Sequence, residues 1–184
     1  MSGADGVSKV KIFNNPTNVT SPSGIPPYKF VTVVYGGETP TISQKLYELI
    51  ACSNNTYGNI SYDIATEDEQ VETIYHSKAT EKDISIKINY KTQQNRPLAD
   101  SEKQTVIDTM ISFVNSYTIN PTLYNIQVVG AIQKALPLIS FVSLNVQLKL
   151  ESDPDGSYSN ADFTTNITDV VIVSEDQIFF NQIV

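Results

Sequence analysis

The sequence predicts an α+β fold made of two small mixed sheet and helix units, each with antiparallel strands packed by one or two helices. Three observations support this prediction. Two long segments, 84–90 and 142–150, alternate apolar and polar residues. Two amphipathic helical patterns lie between them, and a strand, a glycine pair, a helix and two short strands come before them. The two units are predicted over residues 1–80 and 81–184.

The first unit is predicted to begin with two strands. Residues Lys9–Asn14 and Tyr28–Tyr35 are rich in β-branched and aromatic side chains, and a segment dense in Pro, Ser and Gly separates them. The second strand stops at Gly36-Gly37, and glycine adopts the positive φ of a sharp turn without steric cost. The pattern therefore predicts a strand that ends in a glycine turn.

A helix and a hairpin are predicted after this turn. Thr39-Pro40 places proline at the first helical position, where its missing N–H leaves no hydrogen bond unmade. Four apolar residues then share one helical face, which is predicted to pack on the preceding strand: Ile42, Leu46, Leu49 and Ile50. Two short strands follow at 59–64 and 71–75, and the acidic segment between them is predicted to be a solvated hairpin loop.

The second unit begins with the clearest strand pattern of the chain. Ile84, Ile86, Ile88 and Tyr90 alternate with polar residues, and the same alternation returns at 142–150. Alternation of this kind is typical of a strand with one buried face. The two segments are therefore predicted to pair with each other.

Two helices are predicted between these strands. The segment Ser101–Gln104 forms a capping box, and the apolar stripe after it ends near Thr118. Asn120-Pro121 is predicted to open the second helix, which Pro137 ends because proline cannot continue the hydrogen-bonded ladder. Its predicted apolar stripe is Leu123, Ile126, Val129, Ile132 and Leu136. Two closing strands are predicted at 168–173 and 177–184.

Composition excludes several classes of partner. The formal net charge is −8, and no window holds a dense cluster of Lys and Arg, so the phosphate backbone of a nucleic acid would be repelled. No apolar run is long enough for a membrane span, and the N-terminus has no signal-peptide pattern. Because Cys52 is the single cysteine, an internal disulfide and a multi-thiolate metal site are excluded.

Catalytic chemistry is not indicated by the residue types present. His76 is the single histidine, so every histidine-based catalytic framework would have to use it, and we predict instead a surface or hydrogen-bonded residue. Cys52 is interpreted as a small packing residue. The acidic run Glu67-Asp68-Glu69 is interpreted as a solvated loop, since adjacent exposed carboxylates lack the burial that separates pKa values.

The segment Asp153–Asp162 superficially resembles a calcium loop. An EF-hand requires Gly at the sixth position and Glu at the twelfth, whereas counting from Asp153 these positions hold Tyr158 and Thr164. The segment is therefore predicted to be a turn. The sequence predicts no catalytic residue, no metal site and no cofactor.

One run of residues links the glycine turn to a second turn downstream. It comprises Gly24-Ile25-Pro26, Phe30, Val33–Gly37, Ile42 and Thr56-Tyr57-Gly58. This run resembles the C-terminal part of the baseplate J-like family of contractile phage tails, in which a strand ending in V-x-G-G precedes a helix and a T-x-G turn. The structural turns that match the family motif are Gly36, Gly37, Thr56 and Gly58.

The resemblance implies a structural, non-enzymatic wedge component of a contractile-tail baseplate, or of a related contractile injection system. Its implied partners are other wedge and hub proteins and further copies of itself in a ring around the hub, with no nucleic acid and no membrane. The implied location is the virion, after synthesis in the host cytoplasm. Family members have further N-terminal domains, so this chain is expected to be a fragment, a processed form or a reduced homologue.

Two other functions are considered. A receptor- or carbohydrate-binding module of a tail fibre would also be rich in Asn, Thr and Tyr, but the two central helices and the absence of Trp count against it. A small hydrolase would depend on His76. Five tyrosines are candidate interface anchors, with a core position as the alternative for each: Tyr28, Tyr35, Tyr47, Tyr57 and Tyr62.

Overall fold

The computed structural model describes residues 6–50 and 55–183 and confirms an α+β fold. Three α-helices are found in this part of the chain, α1 (Thr39–Leu49), α2 (Asp100–Asn115) and α3 (Asn125–Ala135). The first-unit strands are β1 (Val7–Asn14), β2 (Phe30–Gly36), β3 (Thr56–Tyr57), β4 (Ile60–Ala65) and β5 (Val71–Lys78). The later strands are β6 (Thr80–Thr92), β7 (Thr122–Leu123), β8 (Phe141–Leu150), β9 (Phe163–Thr164), β10 (Asp169–Ile172) and β11 (Ile178–Gln182).

The chain divides into two compact units, neither of which is continuous in sequence. The first holds the described residues up to Thr80 together with Thr118–Asn120 and Asn166–Val170, and the second holds the rest. Lys11 Nζ donates to the carbonyl of Ile119 at 2.9 Å, and the amide of Asn120 donates to Asp169 O at 2.7 Å. These bonds attach the two short segments to the first unit.

The first unit is built on one mixed sheet with strand order β1-β2-β5-β4, and β3 pairs with β2. The pairs β1–β2 and β4–β5 are antiparallel, while β2 runs parallel to β5 and to β3. Consecutive residues of β2 point to opposite faces of this sheet. Val34 packs with Ile42 and Leu46 of α1, and Val33 packs in a second cluster that contains Ile119 and Val170.

The predicted helical face of α1 is correct in part. Ile42 and Leu46 are buried in the cluster with Ile64 and Ile74, as expected for a face that packs on the sheet. Leu49 is 59% exposed, because the helix ends there and the chain turns away from helical geometry at Ile50. The acidic segment forms the predicted hairpin loop between β4 and β5.

The second unit is organised around the long strand β6. As predicted, β6 pairs antiparallel with β8, with Ile84 opposite Leu150 and Tyr90 opposite Leu144. β6 also pairs parallel with β11, and β10 is a further hydrogen-bonded neighbour of β6. Helices α2 and α3 cover the apolar face of this sheet, where Met110 and Ile132 pack on Ile86 and its neighbours.

The predicted start of the third helix is wrong. Pro121 leads instead into β7, which pairs antiparallel with β9, and α3 begins at Asn125. Asn120 has a φ of 55°, so it forms a turn and not a helix cap. The buried face of α3 therefore differs in part from the predicted apolar stripe. Val128 and Ile132 are buried, whereas Ile126, which was predicted to be part of the stripe, is 81% exposed.

Candidate interaction surfaces

The glycine pair forms the sharp turn that the sequence predicts. Gly36 and Gly37 have φ values of 81° and 75°, in the left-handed region that favours glycine. A Cβ on Gly36 would lie 2.3 Å from the carbonyl oxygen of Gly6. Lys78 Nζ donates to the carbonyl of Gly37 at 2.7 Å. The turn is thus tied to the end of β5.

The second pair of motif residues is also placed against β5. Thr56 is buried, and its Oγ1 accepts the backbone N–H of Tyr75 at 3.2 Å. A Cβ on Gly58 would lie 2.1 Å from the carbonyl oxygen of His76, so only glycine fits there without displacing backbone. Gly37, Thr56 and Gly58 therefore bring β2, β3 and β5 together, while Gly36 lets the start of β1 pass close to the end of β2.

His76 lies in the interior of the first unit. Of the two predicted alternatives, surface and hydrogen-bonded, the second is found: its Nδ1 lies 3.4 Å from Oγ of Ser43 in α1, and both side chains are fully buried. No hydrogen-bond partner for Nε2 is found among the described residues. Burial, and secondarily the charge of Lys78, lower the pKa of His76 below its ordinary value. The neutral imidazole is the favoured form in the fold.

Metal-binding geometry is not found in residues 6–50 and 55–183, where no group of three or more His, Cys, Asp and Glu could hold an ion. In the calcium-like segment, the nearly buried Lys149 donates from Nζ to the carbonyl of Asp153 at 2.8 Å and lies 3.5 Å from Oδ1 of Asp155. The chain itself thus supplies a cation to these oxygens. The interpretation of Cys52 falls on a residue outside the described part of the chain.

The β4–β5 hairpin presents an acidic outer surface. Pairing of β4 with β5 places the side chains of Asp63, Val71 and Tyr75 on the sheet face opposite Ile64 and Ile74. The exposed loop adds three carboxylates. We define the hairpin surface as Asp63, Glu67, Asp68, Glu69, Val71 and Tyr75, all of which are exposed.

The second unit has a polar sheet face opposite its core. Asn89 in the middle of β6 donates from Nδ2 to Gln147 Oε1 at 3.1 Å, and Asn181 Nδ2 donates to Asn89 Oδ1 at 2.8 Å. These bonds form an amide ladder across three strands. The same face carries two lysines and an exposed phenylalanine, so we define the amide face as Lys87, Asn89, Lys91, Gln147, Phe179 and Asn181.

The tyrosines proposed as interface anchors divide between surface and partly buried positions. Tyr28, Tyr57 and Tyr62 are exposed large hydrophobic residues. Tyr35 and Tyr47 are partly buried beside the two clusters of the first unit. Tyr75 and Tyr124 are also exposed, and neither was predicted. Strand alternation does not reveal which face of the hairpin that contains Tyr75 is covered, and Tyr124 was placed inside the helix that the structure begins only at Asn125.

Comparisons with known proteins do not assign this chain to a family. No protein-family model matches it, and no curated protein matches it at a significant level. Within the described residues, none of the helices has the length and apolar character needed to cross a membrane.

Proposed function

We propose that this chain is a structural component of the baseplate wedge of a contractile tail or a related injection system. In this role it binds other wedge and hub proteins and links neighbouring wedges into a ring around the hub. Its function is mechanical, and binding surfaces replace a catalytic site. The proposal begins from the resemblance of the glycine-turn motif to the baseplate J-like family.

The observation that carries the proposal is the placement of the motif residues. Gly37, Thr56 and Gly58 contact β5 and Gly36 contacts the start of β1, so all four lie in the same sheet, and each has a specific steric or hydrogen-bonding reason to be the residue it is. A motif whose members act together in one substructure is a stronger basis for kinship than the same residues scattered over the fold. The placement of these residues supports the resemblance between the first unit of this chain and the baseplate J-like family. The structural role of that family is therefore the role that we propose for this chain.

The surface is compatible with a role in assembly. Exposed tyrosines occur in both units, and aromatic side chains are enriched at protein interfaces. None of the α-helices in the described residues packs on the outer surface of the hairpin or on the amide face, although Tyr158 lies beside Lys87 on the amide face. Such faces are available to neighbouring proteins in a larger particle.

The proposal predicts that the chain is a fixed constituent of purified tail particles. Quantitative mass spectrometry of intact particles should detect it in a constant ratio to the hub and other wedge proteins. Particles made without it should lack a complete baseplate when imaged by negative-stain electron microscopy. Normal baseplates in its absence, or its complete loss from purified particles, would contradict the proposal.

A second candidate function, receptor or glycan binding, is favoured by one feature of the first unit. An open groove of about 580 Å³ lies beside the exposed ring of Tyr75 and is lined by polar residues that include Lys29, Gln70 and Thr73. Aromatic rings beside polar groups suit the flat apolar face and hydroxyls of a sugar. A glycan array tests it directly: binding that Tyr75→Ala abolishes would support this function, and no binding to any glycan would exclude it for the sugars tested.

A further inference from the structure

We infer that copies of this chain associate head to tail, with the hairpin surface of one copy docked on the amide face of the next. This inference rests on the proposed function, because it names the surfaces through which the ring would form. The partner that each of the two surfaces binds is a second copy of this chain.

The hairpin surface carries uncompensated negative charge. Glu67, Asp68 and Glu69 are exposed, and none of them takes part in an ion pair with the described residues. Asp63 adds a fourth carboxylate that accepts the Thr73 hydroxyl at 2.7 Å. Like charges this close repel one another, and a cationic partner would relieve the repulsion.

The amide face carries positive charge that is also uncompensated. Neither Lys87 nor Lys91 belongs to an ion pair with the described residues, and Lys87 Nζ lies 5.5 Å from the centre of the Tyr158 ring. The six residues that define this face include no carboxylate. In a chain of net charge −8, this group of lysines is a local exception, although one carboxylate, that of Glu151, accepts the hydroxyl of Ser85 on the same strand.

The two surfaces also match in apolar character. Val71 and Tyr75 on the hairpin surface are 65% and 41% exposed, and Phe179 on the amide face is 46% exposed. Interfaces commonly place aromatic and aliphatic groups at the centre with a charged rim around them. The amides of Gln147, Asn89 and Asn181 retain donors and acceptors for polar contacts at the same face.

Symmetry decides the kind of assembly that this contact forms. Because the hairpin surface and the amide face are different surfaces, the contact is heterologous and each copy retains one free surface of each kind. Heterologous contacts build rings when the rotation between copies closes and open filaments when it does not. The contact therefore produces ordered oligomers larger than a dimer.

The test uses two charge-reversed variants of the full chain. The hairpin variant is Glu67→Lys, Asp68→Lys and Glu69→Lys, and the face variant is Lys87→Glu and Lys91→Glu. In sedimentation velocity at low ionic strength, the unmodified chain should form oligomers whose size rises with concentration, and added salt should weaken them. For each variant alone, the association constant should fall by about tenfold or more, because the charge reversal replaces attraction between the two surfaces with repulsion.

The mixture of the two variants is the decisive sample. The basic hairpin of the hairpin variant is complementary to the acidic face of the face variant. The acidic hairpin of the face variant is likewise complementary to the basic face of the hairpin variant. Mixing the two should therefore restore oligomers in which the variants alternate. The matched control for the face variant, Lys103→Glu with Lys134→Glu on the helices of the second unit, changes the net charge by the same amount as that variant and should associate normally. Circular dichroism of each variant checks that it is folded.

Three outcomes would overturn the inference. They are an unmodified chain that stays monomeric at every concentration, a mixture that does not associate, and a hairpin variant that loses association while the face variant keeps it. The last result would indicate a two-fold contact through the hairpin alone. If the chain is present in the baseplate but the association test fails, only this contact is rejected. If the chain is absent from purified particles, the proposed function is rejected.

Discussion

At the scale of single residues, Gly58 and His76 determine how closely two strands approach. The backbone of Gly58 passes so near the His76 carbonyl that no side chain fits, and the His76 imidazole is enclosed beneath the sheet beside Ser43. The sequence indicated that Gly58 belonged to a motif and that His76 could be hydrogen-bonded. Neither indication identified the contact between the two residues, because Gly58 lies in the link between β3 and β4 and His76 lies farther along the chain in β5.

Replacing Gly58 with alanine should destabilise the protein by about 1–3 kcal/mol, because the added methyl group forces the backbone apart. Gly130 is the matched control. It lies in α3 with no atom within 4 Å of an added Cβ, so Gly130→Ala should stabilise the helix by up to about 1 kcal/mol. Urea denaturation of both variants measures the difference. Equal effects of the two substitutions would show that the close approach at Gly58 does not exist.

The buried imidazole predicts a pH dependence of stability. Burial lowers the pKa of His76 below its ordinary value of 6.5, so the unfolded chain binds a proton that the folded chain resists. The free energy of unfolding should therefore be at its full value above pH 6.5 and fall as the pH drops below it. His76 is the single histidine, so this slope can be assigned to one group.

Urea denaturation between pH 7 and pH 5 measures this slope directly. In the His76→Gln variant the slope over this range should disappear, whatever the variant's absolute stability. An unchanged slope would assign the pH dependence to carboxyl groups and would place His76 in a solvated environment.

At the scale of elements, the alternation of apolar and polar residues predicted the buried faces of the strands better than it predicted which strands pair. The pairing of β6 with β8 was predicted because both strands bury the same alternate positions, and the structure confirms it. The parallel pairs β6–β11 and β2–β5 were not predicted, since a period of two residues gives the buried face and not the neighbouring strand. The start of α3 was missed because a turn at Asn120 and the short strand β7 were mistaken for a helix start.

The first turn of α2 is held by an ion pair that extends its capping interaction. The carboxylate of Glu102 accepts a hydrogen bond from the backbone N–H of Ala99 at 2.8 Å. Its two oxygens also accept hydrogen bonds from the two terminal nitrogens of Arg96, at 2.8 and 2.7 Å. The Arg96 guanidinium and then the Ala99 N–H lower the pKa of Glu102 from 4.5 to about 2. The carboxylate is thus favoured in the folded state.

Glu102→Ala should destabilise the protein by roughly 0.5–2 kcal/mol, the usual cost of removing a helix cap. The difference from the unmodified chain should be complete above pH 4.5 and decline as the pH falls toward 2, because protonation removes the same interaction. Lys103→Ala breaks only the exposed pair with Asp100 and serves as the control, with a change below about 1 kcal/mol. A pH-independent difference would show that packing, and not charge, is responsible.

At the scale of the whole molecule, the first unit is completed by residues from two later segments of the chain. Ile119 and Val170 are fully buried in its second cluster, beside Val31 and Val33. This completion could not be predicted, because the segments Thr118–Asn120 and Asn166–Val170 are too short for a residue pattern to reveal what they pack against. The predicted span of residues 1–80 therefore omits part of the core that the structure shows.

A fragment of residues 1–80 should consequently fail to form the native first unit. Without Ile119 and Val170, one face of the sheet loses buried apolar contacts and the Lys11 ammonium loses its carbonyl acceptors. Two-dimensional NMR of the fragment should show poor dispersion compared with the same residues in the full chain. A dispersed, native-like spectrum would mean that the later segments are dispensable.

The measurement that tests the central claim most directly is electron cryomicroscopy of the assembled particle that contains this chain. Our account predicts density for several copies in a ring around the tail hub, into which both units fit. Density at a fibre tip, or particles in which the chain has no fixed position, would contradict a role as a baseplate wedge component.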